Sequence, residues 1–244
     1  MKKNTKNKKR SKPIDLTNDV NGPAVPNQYR NRLRPRTENQ KNYIRSIAEN
    51  TITFCQGVAG SGKTHIAIGM ALEYLLDSKV DKIIITRPVV ESGEKIGYLP
   101  GTAEEKLHPY LLPILDEIFY FIPLSQYASL KLHNKIEVVP LGLMRGRNFH
   151  KSFIVADECQ NASYDQLKML LTRTGTGSKM VLTGDASQSD LNYNMRGGFT
   201  ELCEVLSDVD GIGISQLHSS DIIRNPIIGK ILAKLDVYEN EGHK

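Results

Sequence analysis

The chain has 244 residues, a formal net charge of +5, three cysteines and no tryptophan, a length that suits one sizeable α/β domain or a domain with an arm. No apolar run reaches the roughly 18 residues of a membrane span, and the basic N-terminus lacks the apolar stretch of a secretory signal. Cys55, Cys159 and Cys203 are odd in number and widely spaced, which excludes a disulfide framework and a C-x-x-C metal site and points to a reducing cytoplasm.

The positive charge belongs to one end. Residues 1–36 hold eleven Lys and Arg against two Asp, a balance of +9, so the remainder of the chain sums to −4. Pro13, Pro23, Pro26 and Pro35 interrupt this segment, which has few large apolar residues and is expected to be a disordered arm. It reads either as a polyanion-binding arm for nucleic acid or as a solubilising tail. The folded domain is expected over residues 37–240.

Thr37-Glu38-Asn39-Gln40 opens a helix whose apolar face is Tyr43, Ile44 and Ile47. Thr37 is its N-cap, and Gln40 stands three residues later, where a capping-box partner belongs. Gln40 is also placed just upstream of a phosphate loop, where it could contact an adenine base.

That loop is Gly57-Val58-Ala59-Gly60-Ser61-Gly62-Lys63-Thr64, a complete G-x-x-x-x-G-K-T. The apolar, β-branched stretch Thr51–Cys55 before it predicts a buried strand. Ile66, Met70, Leu72, Leu75 and Leu76 after it fall at helical spacing. Glycines at a strand-to-helix junction let the backbone approach an anion, and the loop N–H groups with the helix N-terminus then face phosphate oxygens. Gly57, Ala59, Gly60, Ser61 and Gly62 thus form a nucleotide cradle, Lys63 reaches the β- and γ-phosphates, and the Thr64 hydroxyl binds Mg²⁺.

Lys82–Thr86 is a second buried strand. It runs into the polar, glycine-punctuated loop 87–101, which carries Arg87, Glu91 and Glu94 at the strand edge where α/β sheets bind ligands. Residues 103–122 are helical in pattern, and Pro109 and Pro113 are expected to break or bend that helix. Ile136–Pro140 is a third strand, followed by a basic connection with Arg145 and Arg147, suited to a phosphate backbone or to being a plain surface loop.

Ser152-Phe153-Ile154-Val155-Ala156-Asp157-Glu158 is an apolar run ending in two acids, a Walker B pattern. Asp157 is expected to hold Mg²⁺, and Glu158 to polarise the attacking water as general base. A helix follows over 164–173. Strand 179–183 then ends at Gly184-Asp185, where Asp185 and Gln188 are candidates to sense the γ-phosphate. A helix through Leu206, a sixth strand at 211–215 and a final helix to about Tyr238 complete a doubly wound, mainly parallel α/β sheet.

Taken together, Gly57–Thr64, Arg87–Glu94 with Leu99–Gly101, Asp157–Asn161, Met169–Gly175, Ser178–Asp185 with Gln188 and Asp190-Leu191, and Asp221–Arg224 resemble the PhoH family of ATPases. That family is similar to the first RecA-like domain of superfamily 1 helicases. The resemblance covers residues 37–236, with the motifs in family order, and the short body with its basic arm is similar to phage-encoded members. It implies ATP and Mg²⁺ as cofactors, RNA or single-stranded nucleic acid as partner, a nucleobase role for Gln40, and a γ-phosphate-stabilising role for Arg224. Cys159 stands where the family usually has Ala, and Asn225 where His is common. A single RecA-like domain leaves its nucleotide on an open edge, so a head-to-tail homo-oligomer is expected, such as a hexameric ring, with Arg224 or Arg173 reaching the adjacent site.

Three other functions compete. A nucleotide-gated RNA-binding module would leave Glu158 little purpose. A small-molecule kinase fits the Asp157-Glu158 pair and Gln160 less well than water activation does. A nuclease using Glu91 and Glu94 lacks a compact two-metal cluster. Aromatic residues are few, so nucleic-acid contact is expected to be backbone-directed and salt-sensitive.

Overall fold

Six strands pair in parallel in the order β3-β2-β4-β5-β1-β6. They are β1 (Ile52–Gly57), β2 (Lys82–Thr86), β3 (Ile136–Val138), β4 (Ser152–Ala156), β5 (Lys179–Gly184) and β6 (Ile212–Leu217). The computed structural model describes residues 29–88, 103–186, 188–189, 191 and 198–222, with Lys234 and Tyr238, and only the backbone of 103–110. The final helix expected to about Tyr238 therefore falls largely outside the described residues.

Successive strand residues feed opposite cores, as the two-residue pleat requires. Cys55, Ile83, Ile85, Phe153, Val155 and Val181 enter one core, against α1 (Glu38–Glu49), α2 (Lys63–Leu76), α3 (Ala103–Phe121) and α4 (Leu124–Leu132). Their neighbours Phe54, Ile84, Ile154, Ala156, Met180 and Leu182 enter the other, against α5 (Tyr164–Leu171) and α6 (Gly198–Val205). Burial on both faces explains why the inner strands β1, β2, β4 and β5 read as apolar runs, whereas the edge strands β3 and β6 carry polar residues.

Three local expectations are revised. Residues 29–36, assigned to the arm by composition, lie on the body. The Arg30 and Asn31 N–H groups donate to the Phe121 carbonyl at 2.7 and 3.3 Å, the Asn31 amide donates to the Tyr120 carbonyl at 2.7 Å, and Tyr29 and Leu33 pack on the α2/α3 core. Charge and proline content outweighed those two apolar anchors in the sequence. Residues 1–28 lie outside the described part.

Second, Pro109 and Pro113 do not end α3, which runs for 19 residues. The two prolines are four apart and so share one side of the helix. Pro113 is exposed, while Ile114, Ile118 and Phe121 anchor the helix in the core. Third, α4 escapes the sequence pattern because only Gln126 and Leu130 of its nine residues are buried.

The connection after β3 is also more ordered than its composition suggests. Arg147 donates two hydrogen bonds to Glu137, at 2.8 and 3.0 Å, and Lys82 donates a third at 2.8 Å. The Arg147 fork and then Lys82, working against burial, hold the Glu137 carboxyl down at about 2 from an ordinary 4.5. The stabilisation from a depressed carboxyl is complete above its unfolded value and is lost as pH falls toward the folded one. Between pH 4.5 and 2, the wild type is therefore expected to lose thermal stability more steeply than Glu137→Gln. Parallel pH profiles of the two melting temperatures would contradict this.

Candidate active site

The loop between β1 and α2 is built by close approach. Gly62, at φ +95°, caps α2 in the left-handed region, and a Cβ there would sit 3.1 Å from the Gln40 amide nitrogen. A Cβ on Gly57 would meet the Leu217 carbonyl of β6 at 2.7 Å. The Ser61 hydroxyl closes the loop by donating to the Val58 carbonyl at 2.8 Å. Lys63 lies over the loop and donates to the carbonyls of Gly57 (2.6 Å) and Val58 (3.0 Å). The first N–H groups of α2 have no intrahelical acceptors and so form an anion site.

Three elements converge on Asp157, which is buried at the end of β4. Its Oδ1 accepts hydrogen bonds from Thr64 of the P-loop and from Thr183 of β5, each at 2.7 Å. Its N–H donates to the Thr86 carbonyl of β2 at 3.0 Å. This convergence follows from strand order: β5 lies between the P-loop strand β1 and the Walker B strand β4. Thr183 was not singled out by sequence. Its signal was a hydroxyl two residues before Asp185, at the end of an apolar strand.

Glu158 adopts φ +56° and ψ +40°, a strained conformation for a residue with a side chain. Its carboxylate accepts from the Gln160 amide at 2.6 Å. Arg87, at the end of β2, spans both acids, 3.8 Å from Asp157 and 3.5 Å from Glu158. The sequence marked Arg87 as an unusual loop charge without revealing its partners, because they lie at the end of a neighbouring strand, far along the chain.

Gln160, which is buried, ties the Walker B turn to the end of β5. Its Oε1 accepts from the Asp185 N–H at 3.0 Å, its amide reaches the Gln188 carbonyl at 3.3 Å, and its own carbonyl accepts from Ser189 at 3.0 Å. Asp185 is thus brought to the site. Gln188 joins this network through its main chain, and its side chain is exposed. Gln160→Ala is expected to lower turnover about tenfold at unchanged nucleotide affinity, since it frees Glu158 from one defined orientation. A change in affinity with turnover intact would contradict that role.

Gln40 holds the loop from outside. Its N–H donates to the Thr37 hydroxyl at 3.2 Å, as the cap predicts, but its Oε1 accepts from Arg36 N–H (2.8 Å), one residue upstream of a regular capping box. Its amide nitrogen donates to the Ser61 carbonyl at 3.0 Å. Asp221 anchors the same helix end. It accepts from the Asn39 amide at 3.0 and 3.3 Å and from the His218 N–H at 2.7 Å. Burial pushes its carboxyl up, but hydrogen bonds from Thr37, His218 and Asn39 hold it below the usual range.

Arg173 is engaged within its own chain, donating to the carbonyls of Met169 and Arg147 and to the Thr172 hydroxyl. Arg224, Glu91 and Glu94 lie outside the described residues. A cleft of about 420 Å³ adjoins the loop, lined among others by Gln40, Lys63, Thr64, Glu117, Tyr120 and Glu158.

The donor set fits a nucleoside triphosphate with Mg²⁺. Among the described residues no three His, Cys, Asp or Glu side chains group to hold a metal. Mg²⁺ is suited to this, because it binds through one or two protein oxygens plus substrate phosphates. Thr64 and Asp157 supply such oxygens.

This fold and site define a P-loop nucleotide-binding domain with one strand inserted between its two phosphate-site strands. A solved structure of the large terminase from a thermophilic bacteriophage shares the fold, with TM-score 0.53 and 10% identity over 82% of this chain and 50% of that one. The chain belongs to the PhoH-like protein family, which matches residues 32–236. It is 41% identical over 208 residues to a PhoH-like protein of Synechocystis sp., covering 85% of this chain and 63% of that one. It is 44% identical over 210 residues to a PhoH-like protein of Mycobacterium tuberculosis, covering 86% and 60%. Protein PhoH of Escherichia coli is 35% identical over 199 residues, covering 81% and 56%. The chain spans less than two thirds of these curated relatives.

Proposed function

We propose that the chain is an Mg²⁺-dependent ATPase whose turnover is coupled to RNA or single-stranded nucleic acid. The observation that carries this reading is the meeting of Thr64 and Thr183 on one oxygen of Asp157, beside a Glu158 held by Gln160. Thr64 and Asp157 would hold Mg²⁺, which when bound supplies charge neutralisation at the β- and γ-phosphates. Lys63 turns from the loop carbonyls to the phosphates. Glu158 takes the proton of the attacking water, in an orientation set by Gln160, and Arg87 offsets the charge of the two adjacent acids.

The nucleic-acid half of the reading rests on the resemblance drawn from the sequence and on the +9 balance of residues 1–36, the last eight of which lie on the body. A head-to-tail ring would let Arg224 complete a neighbour's site. Three buried free cysteines suit a reducing cytoplasm.

The test is the steady-state ATPase rate with Mg²⁺, with and without single-stranded RNA, at low and at moderate salt. Stimulation by RNA that fades with salt is expected, because phosphate contacts release counterions. Turnover indifferent to nucleic acid would remove RNA as the partner and leave the ATPase assignment in place.

A further inference from the structure

Part of the cleft beside the P-loop is not used by phosphate chemistry. Its far wall joins α2, α3 and the docked segment before α1. His65, the residue after Thr64, meets Glu117 of α3, with Nδ1 and Oε2 2.7 Å apart. The imidazole packs on Phe121, with ring centroids 4.7 Å apart, and stands edge-on to Tyr120 at 5.0 Å and 66°. Phe121 is buried, whereas Tyr120 is 43% exposed and lines the cleft. Arg34 and Arg36 line it from the docked segment, which is bound to the end of α3 through the carbonyls of Tyr120 and Phe121. Gln40, expected to read the base, has its amide oxygen and nitrogen engaged by the Arg36 N–H and the Ser61 carbonyl.

We infer that this wall is the nucleoside subsite. The base stacks on Tyr120 with an Arg34 or Arg36 guanidinium against it, and the ribose hydroxyls engage the His65–Glu117 pair. The inference rests on the reading of Gly57–Thr64 as a triphosphate cradle and assigns the remainder of the ligand. Its order along the cleft follows from the chain. His65 directly follows the phosphate-binding Thr64, so a group joined to the α-phosphate meets His65 and Glu117 first. Glu117 and Tyr120 are three apart on one face of α3, so the base meets Tyr120 next. Imidazole Nδ1–H donates its hydrogen bond to the Glu117 carboxylate, which leaves Nε2 facing away from that pair to meet a ribose hydroxyl. An exposed ring held edge-on by a neighbour offers a pre-set stacking face.

The test compares equilibrium binding of ATP and of inorganic tripolyphosphate, each with Mg²⁺, to the wild type, Tyr120→Ala and Tyr120→Phe. The wild type is expected to bind ATP more tightly than tripolyphosphate. Tyr120→Ala is expected to lose about tenfold in ATP affinity, the scale of one base–aromatic stack, with tripolyphosphate affinity and melting temperature unchanged. Tyr120→Phe is expected to retain wild-type ATP affinity. Glu117→Gln is expected to narrow the preference for ATP over 2′,3′-dideoxy-ATP. Equal wild-type affinity for ATP and tripolyphosphate overturns the subsite and leaves the phosphate cradle standing. So does a Tyr120→Ala variant whose ATP affinity is unchanged, or one that weakens both ligands alike. An unchanged ATP preference in Glu117→Gln overturns the ribose assignment. A wild type that binds neither ligand overturns the cradle and the subsite together.

Discussion

Replacing Glu158 by Gln is expected to reduce ATP turnover by about a hundredfold or more, the usual scale for losing a positioned general base, while ATP binding is retained. The substitution keeps size, and it keeps an oxygen that can still accept from the Gln160 amide, now 2.6 Å from the carboxylate. The left-handed backbone at this position costs Glu and Gln alike, so fold and loop geometry are preserved. Only the proton acceptor and one negative charge beside Arg87 disappear. Measured side by side, turnover and equilibrium ATP affinity should separate cleanly. Undiminished hydrolysis by Glu158→Gln would reject the assigned base.

Lys63→Ala is expected to remove binding as well as turnover. The ammonium's charge-assisted hydrogen bonds to phosphate are each worth about 1.5–3 kcal/mol, so a loss of about a hundredfold in ATP affinity is expected. The fold should survive, because the Gly57 and Val58 carbonyls that Lys63 now covers sit in a partly exposed loop that water can reach. A calorimetric titration with ATP, paired with a thermal melt, checks both halves. Wild-type affinity in Lys63→Ala would remove the lysine from the phosphate site.

The features legible in sequence are those whose chemistry is contiguous. Gly57–Thr64 and Asp157-Glu158 announce themselves because each needs its residue types at fixed local spacing, and β1, β2, β4 and β5 stand out as apolar runs. What escaped is what the topology assembles. Arg87 was visible, but its position opposite Asp157 and Glu158 depends on β2 lying beside β4. Gln40 was placed near the loop by sequence, but the Arg36 and Ser61 backbone partners of its amide could not be read there. Tyr120 and His65 are remote in sequence and meet only because α3 packs on α2. Leu33 and Tyr29 anchor the end of a segment whose composition is otherwise that of a solvated arm.

Single-turnover hydrolysis of ATP with Mg²⁺, run in parallel on the wild type and Glu158→Gln in the presence of single-stranded RNA, tests the central assignment most directly. Bound ATP is expected to be converted to ADP and phosphate by the wild type and to persist on Glu158→Gln. Bound ATP that persists equally on both would contradict the reading of this site as a hydrolytic centre.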